Sequence, residues 1–217
     1  MEILYEDNHC LAVVKPHGML TQGDASGEES LMEQVKEFIK KRDRKPGRVF
    51  LGLVHRLDRP VGGIVLLAKT SKGASRLSEQ FRAHKIQKTY LAVTEGVPEP
   101  RQGEVRQWLK KDVRTNTVAV VKAQTPGAKE AVLTYQVLKT KGTRAWVEIK
   151  PQTGRPHQIR VAMSSLGAPI AGDAKYGAQP AKNGQIALFA TGLVFAQPVT
   201  QEKIELKTAP QGAVWKR

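Results

Sequence analysis

The stretch His55-Arg56-Leu57-Asp58-Arg59-Pro60-Val61-Gly62-Gly63 constrains this chain more than any other. Apolar segments flank it, Val49 to Val54 before and Ile64 to Ala68 after. Two such segments around a turn read as strand, turn, strand. Gly62 and Gly63 let the backbone turn sharply or let something large approach closely. The turn carries one acid, Asp58, between two arginines, and adjacent positive charge favours an ionised carboxylate. A carboxylate presented at the edge of a sheet can be a nucleophile or a base. The same residues also suit a plain surface Arg–Asp pair on a hairpin, and this stretch alone leaves both readings open.

The rest of the chain supplies the frame. Residues 2–8 and Cys10 to Val14 read as two short strands around a turn at Asp7-Asn8, with Lys15-Pro16-His17-Gly18 stopping the second. Ser30-Leu31-Met32-Glu33 has capping-box spacing, and Leu31, Val35, Phe38 and Ile39 follow at helical spacing. That helix ends in Lys40-Lys41-Arg42-Asp43-Arg44-Lys45, a basic cluster that fits the helix dipole and is either a phosphate contact or a solvated face. Thr70-Ser71 caps a second helix with a stripe through Ala74, Leu77, Ser78, Phe81 and Lys85. Lys88 to Val93 is a strand. From Val105 to about Ile149 short apolar runs alternate with Gly, Lys and Thr, the pattern of an antiparallel sheet. Gly154-Arg155-Pro156 opens a third helix, Pro156 suiting its first position, and Gly167 is its stop. His157 and Arg160, three residues apart, share one flank of that helix. Residues 170–180 read as a loop, and runs at Ile186 to Phe195 and Lys203 to Leu206 close the chain. This order predicts a single α+β domain over residues 1–217, around a mixed, mostly antiparallel sheet with flanking helices.

Charge narrows the function classes. Among the 217 residues, Lys+Arg 35 against Asp+Glu 20 gives +15, and a protein this basic usually meets a polyanion, above all nucleic acid. No basic amphipathic helix with a bulky apolar face is visible, so a membrane surface is the weaker candidate. The single cysteine, Cys10, excludes an intrachain disulfide, and without a Cys or His cluster no metal site is expected. The N-terminus runs straight into a strand pattern with no signal peptide, and no apolar run has bilayer-spanning length. A cytoplasmic protein is expected.

Together the motifs resemble the RluA-type pseudouridine synthases. His55-Arg56-Leu57-Asp58 with Gly63 and Ala68-Lys69-Thr70 is similar to that family's signature. Val14-Lys15-Pro16-His17-Gly18 is similar to its first motif, and Lys88-Thr89-Tyr90-Leu91-Ala92 to its Lys-x-Tyr segment. Thr153-Gly154-Arg155-Pro156-His157-Gln158-Ile159-Arg160 resembles its Gly-Arg-x-His-Gln-Ile-Arg motif, and Gly167 to Gly177 the block that follows. Val61-Gly62 stand where Thr-Ser is usual, and Pro156 where Thr is usual. Many relatives carry an extra N-terminal RNA-binding domain of the S4 type. This chain starts with the catalytic region and resembles the members without it.

The resemblance implies a pseudouridine synthase fold and isomerisation of uridine to pseudouridine in tRNA or rRNA, with no cofactor, by an enzyme expected to be a monomer. It implies that Asp58 is the catalytic carboxylate, that Arg160 pairs with it, and that Tyr90 stacks on the target uracil. A uridine in folded RNA must be flipped out to react; Arg56 matches a family arginine thought to fill the vacated stack. Arg155 and His157 are weaker candidates for the cleft wall and RNA contact, and for His157 a satisfied structural histidine is the better reading. Lys15 is structural or RNA-facing. Two other classes stay in view. An inactive RNA-binding protein of the same fold fits the charge but not the presence of Asp58, Tyr90 and Arg160 together. A metal-dependent nuclease needs clustered carboxylates, whereas Asp58 has arginines as its near neighbours in sequence.

Overall fold

Asp7 makes the first turn. Its Oδ1 accepts the backbone N–H groups of His9 and Cys10 at 2.6 and 2.7 Å, folding β1 (Ile3–Glu6) back on β2 (Cys10–Lys15). The computed structural model describes residues 1–181 and 184–215. They form two compact units, one of Met1–Ile86 with Gly192–Thr208, the other of Gln87–Thr191 with residues from Ala209 onward.

In the first unit, α1 (Leu31–Arg42) starts on the expected capping box, the Ser30 hydroxyl accepting from the Glu33 amide while the Glu33 carboxylate accepts from the Ser30 amide. The next free amides of the helix, Leu31 and Met32, donate to the carbonyls of Leu20 and Thr21, so the helix start is tied to the loop after β2. Leu31, Met32, Val35 and Ile39 are its buried residues. Phe38, expected on the same stripe, is exposed instead, because the i, i+4, i+8 row already fills the buried face; its ring lies under Arg42, 5.2 Å from the guanidinium carbon. The strand expected over Val49 to Val54 shrinks to β3 (Gly52–Leu53), paired antiparallel with the end of β4 (Gly62–Ala68). β4 also pairs with β2 and is buried along its whole length. Gly63 at its start has φ +117, a conformation that side chains resist.

Thr70 caps α2 (Ser71–Arg82) through the Gly73 amide. This helix approaches its neighbours closely. A Cβ on Gly52 would lie 2.8 Å from Cβ of Ala74, and one on Gly73 would lie 2.7 Å from the carbonyl oxygen of His9.

The second unit holds a sheet in the order β5 (Gln87–Glu95), β9 (Arg144–Pro151), β8 (Lys129–Lys141), β6 (Gln102–Asp112), β7 (Thr117–Val121), every pair antiparallel. α3 (Gln158–Ser165) packs Val161 on Leu109, Val118, Ala131 and Tyr176. It begins at Gln158, not at Gly154-Arg155-Pro156. His157 sits in the left-handed region at φ +50, which no helical residue can adopt, so Pro156 and His157 form a turn ahead of the helix. Its end is as expected: Gly167 takes φ +68, and Ala168 donates back to the Met163 carbonyl. The 170–180 loop contains one 3-10 turn, Ala174–Tyr176. Last, β10 (Leu188–Ala196) pairs with β11 (Lys203–Lys207); its residues to Thr191 belong to the second unit and those from Gly192 to the first. Leu193, Phe195 and Leu206 complete a first-unit core with Cys10, Ala12, Ile64, Leu66, Ala68, Leu77 and Ile86. Among the described residues no helix is long and apolar enough to cross a membrane.

Alanine normally exceeds glycine in a helix by about 1 kcal/mol. At position 73 the sign is expected to reverse, Gly73→Ala costing about 1–3 kcal/mol in urea unfolding because the added methyl meets backbone. A variant as stable as the wild type would mean that the His9 turn yields.

Candidate active site

Asp58 lies half-buried on the loop between β3 and β4, and its neighbours are fixed from several sides. The Thr21 hydroxyl donates to the Leu57 carbonyl at 2.8 Å and accepts from the Leu57 amide at 3.2 Å. Val61 donates to the Asp58 carbonyl, closing a turn through Arg59 and Pro60. Gly18 donates its amide to the Arg59 carbonyl, and Arg59 returns a bond from Nε to the Gly18 carbonyl. His55 anchors the start of the loop: its Nε2 accepts from the Leu66 amide at 2.8 Å and its ring stacks on Phe81 at 4.7 Å.

Below this loop is Lys15, with 0% of its surface exposed. Its Nζ donates to the carbonyls of Pro16, Met19 and Arg59 at 3.0, 2.7 and 3.2 Å. Three acceptors match the three N–H bonds of an ammonium. Burial pushes the Lys15 pKa down to about 8, while the negative charge of Asp58 pulls it back up. At neutral pH the group is still a cation. Of the two readings of Lys15, structural or RNA-facing, this geometry favours the structural one. The arginines flanking Asp58 part company. Arg59 pairs with Glu28 at 2.7 Å, whereas Arg56 is exposed at the loop surface.

In the second unit, Tyr90 is half-buried on β5, opposite Ile149 of β9. Arg160 is buried, and its Nε and Nη2 clamp the two oxygens of Asp173 at 2.7 and 2.6 Å; Asp173 itself is 1% exposed. The Arg160 guanidinium also lies over the Tyr176 ring, 4.9 Å from its centre. The Tyr176 hydroxyl accepts from the Val118 amide at 2.9 Å and meets His157 Nδ1 at 2.6 Å. His157 and Arg160 therefore do converge, on one tyrosine, although His157 lies before the helix. Its buried, bonded ring fits the structural reading. Gln158 knits the turn, accepting from Thr153 Oγ1 and the Arg155 amide and donating to the Val132 carbonyl. Arg155 is half-buried with Nε on the Glu130 carbonyl. Lys88 donates to the Thr153 carbonyl, and burial lowers its pKa to about 8.

Thr21, His55, Asp173 and Tyr176 carry this scaffolding without any role assigned from sequence. Asp173 follows Arg160 by 13 positions across a helix end and a loop, a spacing that no periodicity encodes.

The sequence profile of the family described as RNA pseudouridylate synthase matches residues 9–165, and the chain belongs to that family. It is 36% identical over 177 residues to the ribosomal large subunit pseudouridine synthase C of Rickettsia felis, a match covering 81% of this chain and 55% of that protein. This chain thus spans little more than half the length of that relative. It is 34% identical over 225 residues to the tRNA pseudouridine synthase C of Haemophilus ducreyi, covering 95% of this chain and 89% of that one. The solved structure of human RNA pseudouridylate synthase domain containing 4 matches with a TM-score of 0.79 at 27% identity, covering 96% of this chain and 88% of that one. The expected α+β fold of this family is the fold observed.

Lys15 links stability to pH. Its folded pKa, about 8, is below the ordinary 10.5, so between those values the unfolded chain binds more protons and this group's contribution to stability rises with pH. Lys15→Met should cost at least about 1–3 kcal/mol, since it leaves buried carbonyls unpaired. The cost should be larger near pH 10 than near pH 7 in paired denaturant melts. A cost that shrinks as pH rises would contradict the assignment.

Proposed function

We propose that this chain converts uridine to pseudouridine in RNA, in tRNA or rRNA, with Asp58 as the catalytic carboxylate. The observation that carries this reading is Asp58 itself. It falls within the family-matched span, on a loop braced by the Lys15 ammonium and the Thr21 hydroxyl. A loop fixed before substrate arrives lowers the cost of aligning the acid. The names of the relatives, one a ribosomal and one a tRNA synthase, support these two RNA classes as substrates.

In this reaction the bond from uracil N1 to the ribose breaks, the base rotates, and C5 bonds to the same sugar carbon. A proton leaves C5 and one is gained at N1. Nothing is oxidised or reduced, so the chemistry calls for no redox cofactor. Asp58 acts on the sugar, as nucleophile or as the base that deprotonates it. Tyr90 supplies an aromatic face for the extruded uracil, a contact of the kind worth about 1–3 kcal/mol. Arg160 is held in one orientation by its bidentate pair with Asp173. Arg56, exposed and planar, fills the stack when the base flips out. The family domain spans the whole of residues 1–217 in this proposal, and the reaction takes place in the cytoplasm, as the single free cysteine suits a reducing compartment.

Pseudouridine mapped by chemical labelling, in RNA from cells with and without the protein, identifies the target. On that RNA, Asp58→Asn should lower turnover by about 10²–10⁴-fold or more while leaving RNA affinity nearly unchanged. Turnover close to wild type would remove Asp58 from its role. Tight binding without turnover by the wild type would favour the inactive relative.

A further inference from the structure

Burial pushes two lysines of this chain down to about 8, Lys15 and Lys88, and the fold treats them differently. Lys15 has three carbonyl acceptors for its three N–H bonds, and the charge of Asp58 acts on it. Lys88 has one acceptor. Its Nζ donates to the Thr153 carbonyl at 3.1 Å, and among the described residues it has no second acceptor and no ion pair. Burial alone lowers its pKa, and no neighbouring acid pulls it back. An ammonium carries three N–H donors, so two of them find no acceptor among the described residues. Withdrawing such a group from water unfilled is costly, and a polar group left in that state asks for a functional explanation.

The surroundings hold this cation in place and leave room beside it. Thr153, its acceptor, belongs to a clamped turn. The Thr153 hydroxyl accepts from the Val132 amide at 2.9 Å and donates to Gln158 Oε1 at 2.8 Å. The next residue is Gly154, where a Cβ would come 3.7 Å from Lys88 Nζ. Glycine there keeps that side of the ammonium uncovered. Lys88 and Tyr90 are alternate residues of β5, so they share one side of the sheet, with Cα atoms roughly 6–7 Å apart. A uracil lying on the Tyr90 ring carries two carbonyl oxygens on its edge, and a donor at position 88 is spaced to meet one of them.

We propose that Lys88 is a further catalytic residue, whose ammonium donates a hydrogen bond to a carbonyl oxygen of the target uracil as the base leaves the ribose. The inference rests on the reading of the preceding section. In that reaction the N1–C1′ bond breaks and its electron pair stays with the uracil. The resulting anion spreads its charge over N1 and, through the conjugated ring, onto O2 and O4. C5 then bonds to C1′, its proton leaves, N1 gains one, and the ring is neutral again. Lys88 keeps its own protons throughout. It donates to an oxygen that is a modest acceptor in the bound uridine and a strong one in the departing base. The contact therefore strengthens where the barrier lies. The charge it meets there is the one that its own site lacks.

The test uses the full chain and the RNA mapped as its substrate. Lys88→Met removes the charge and keeps the length of the side chain. It should lower single-turnover kcat by about 10²–10³-fold, leave RNA affinity and its salt dependence in place, and unfold in urea no earlier than the wild type. Replacing the target uridine by 2-thiouridine or 4-thiouridine exchanges one carbonyl oxygen for sulfur, a weaker acceptor. One of the two should slow the wild type and leave the Lys88→Met rate nearly unchanged, since the contact is already gone. Lys88→Met turnover near wild type, or equal slowing of both proteins by both thio substrates, would overturn the proposal. So would a salt slope flattened by about 0.7–0.9, which assigns Lys88 to a phosphate, or earlier unfolding, which makes it a structural cation like Lys15. A wild type that makes no pseudouridine in any RNA removes the reaction and this role together. An active wild type with an equally active Lys88→Met removes this role alone.

Discussion

The Lys15 ammonium has no exposed surface, and the first unit's functional loops are arranged around it. Burying an isolated charge is costly, and the charge persists only where its hydrogen-bonding capacity is filled. Here two of its three acceptors, Pro16 and Met19, lie in the loop after β2, and the third, Arg59, lies next to Asp58. One cation thus fastens two loops. Gly18 and Thr21 repeat the link, the first through the Arg59 carbonyl and the second through Leu57. Thr21 in turn accepts the Met32 amide at the start of α1. The capping box of α1, the first loop and the Asp58 turn form one continuous set of hydrogen bonds. The negative charge of Asp58 acts back on Lys15, opposing the effect of burial.

The second unit uses a different device for the same purpose. Arg160 and Asp173 are both buried, and each satisfies the other in a two-bond clamp. Removing one partner of such a pair strands the other charge, which makes the pair a strict geometric constraint even where it contributes little net stability. Tyr176 extends the constraint to His157 on one side and to the β7 backbone on the other. Gln158 does for the Thr153–Arg155 turn what Thr21 does for the Asp58 loop. Side chains proposed to meet RNA thus stand on backbone that is held before RNA arrives.

Signals that act within a few residues were legible in the sequence. The turn at Asp7, the Ser30 capping box, the Thr70 cap and the Gly167 stop are all local, and each forms as its residues dictate. Periodicity did less well where neighbours intervene. Phe38 fits the helical stripe of α1 but finds its face already occupied, and Val49 to Val54 is strand-like in composition while only Gly52–Leu53 has a partner strand. The helix start was misplaced at Pro156 because the left-handed turn at His157 depends on Gln158 folding back over Thr153 and Arg155. The motif residues were visible as a set. The supporting roles of Thr21, His55, Asp173 and Tyr176 were not, since a support is defined by what it reaches in three dimensions.

The most direct test of this account is an NMR titration of the Lys15 side chain, following its Cε resonance in the wild type and in Asp58→Asn. The expected midpoint in the wild type is about 8. In Asp58→Asn it should fall further, because the charge that favours the ammonium is gone. A midpoint at the ordinary lysine value of 10.5, or one that Asp58→Asn leaves in place, would contradict the claim that this buried cation and the Asp58 loop are one electrostatic unit.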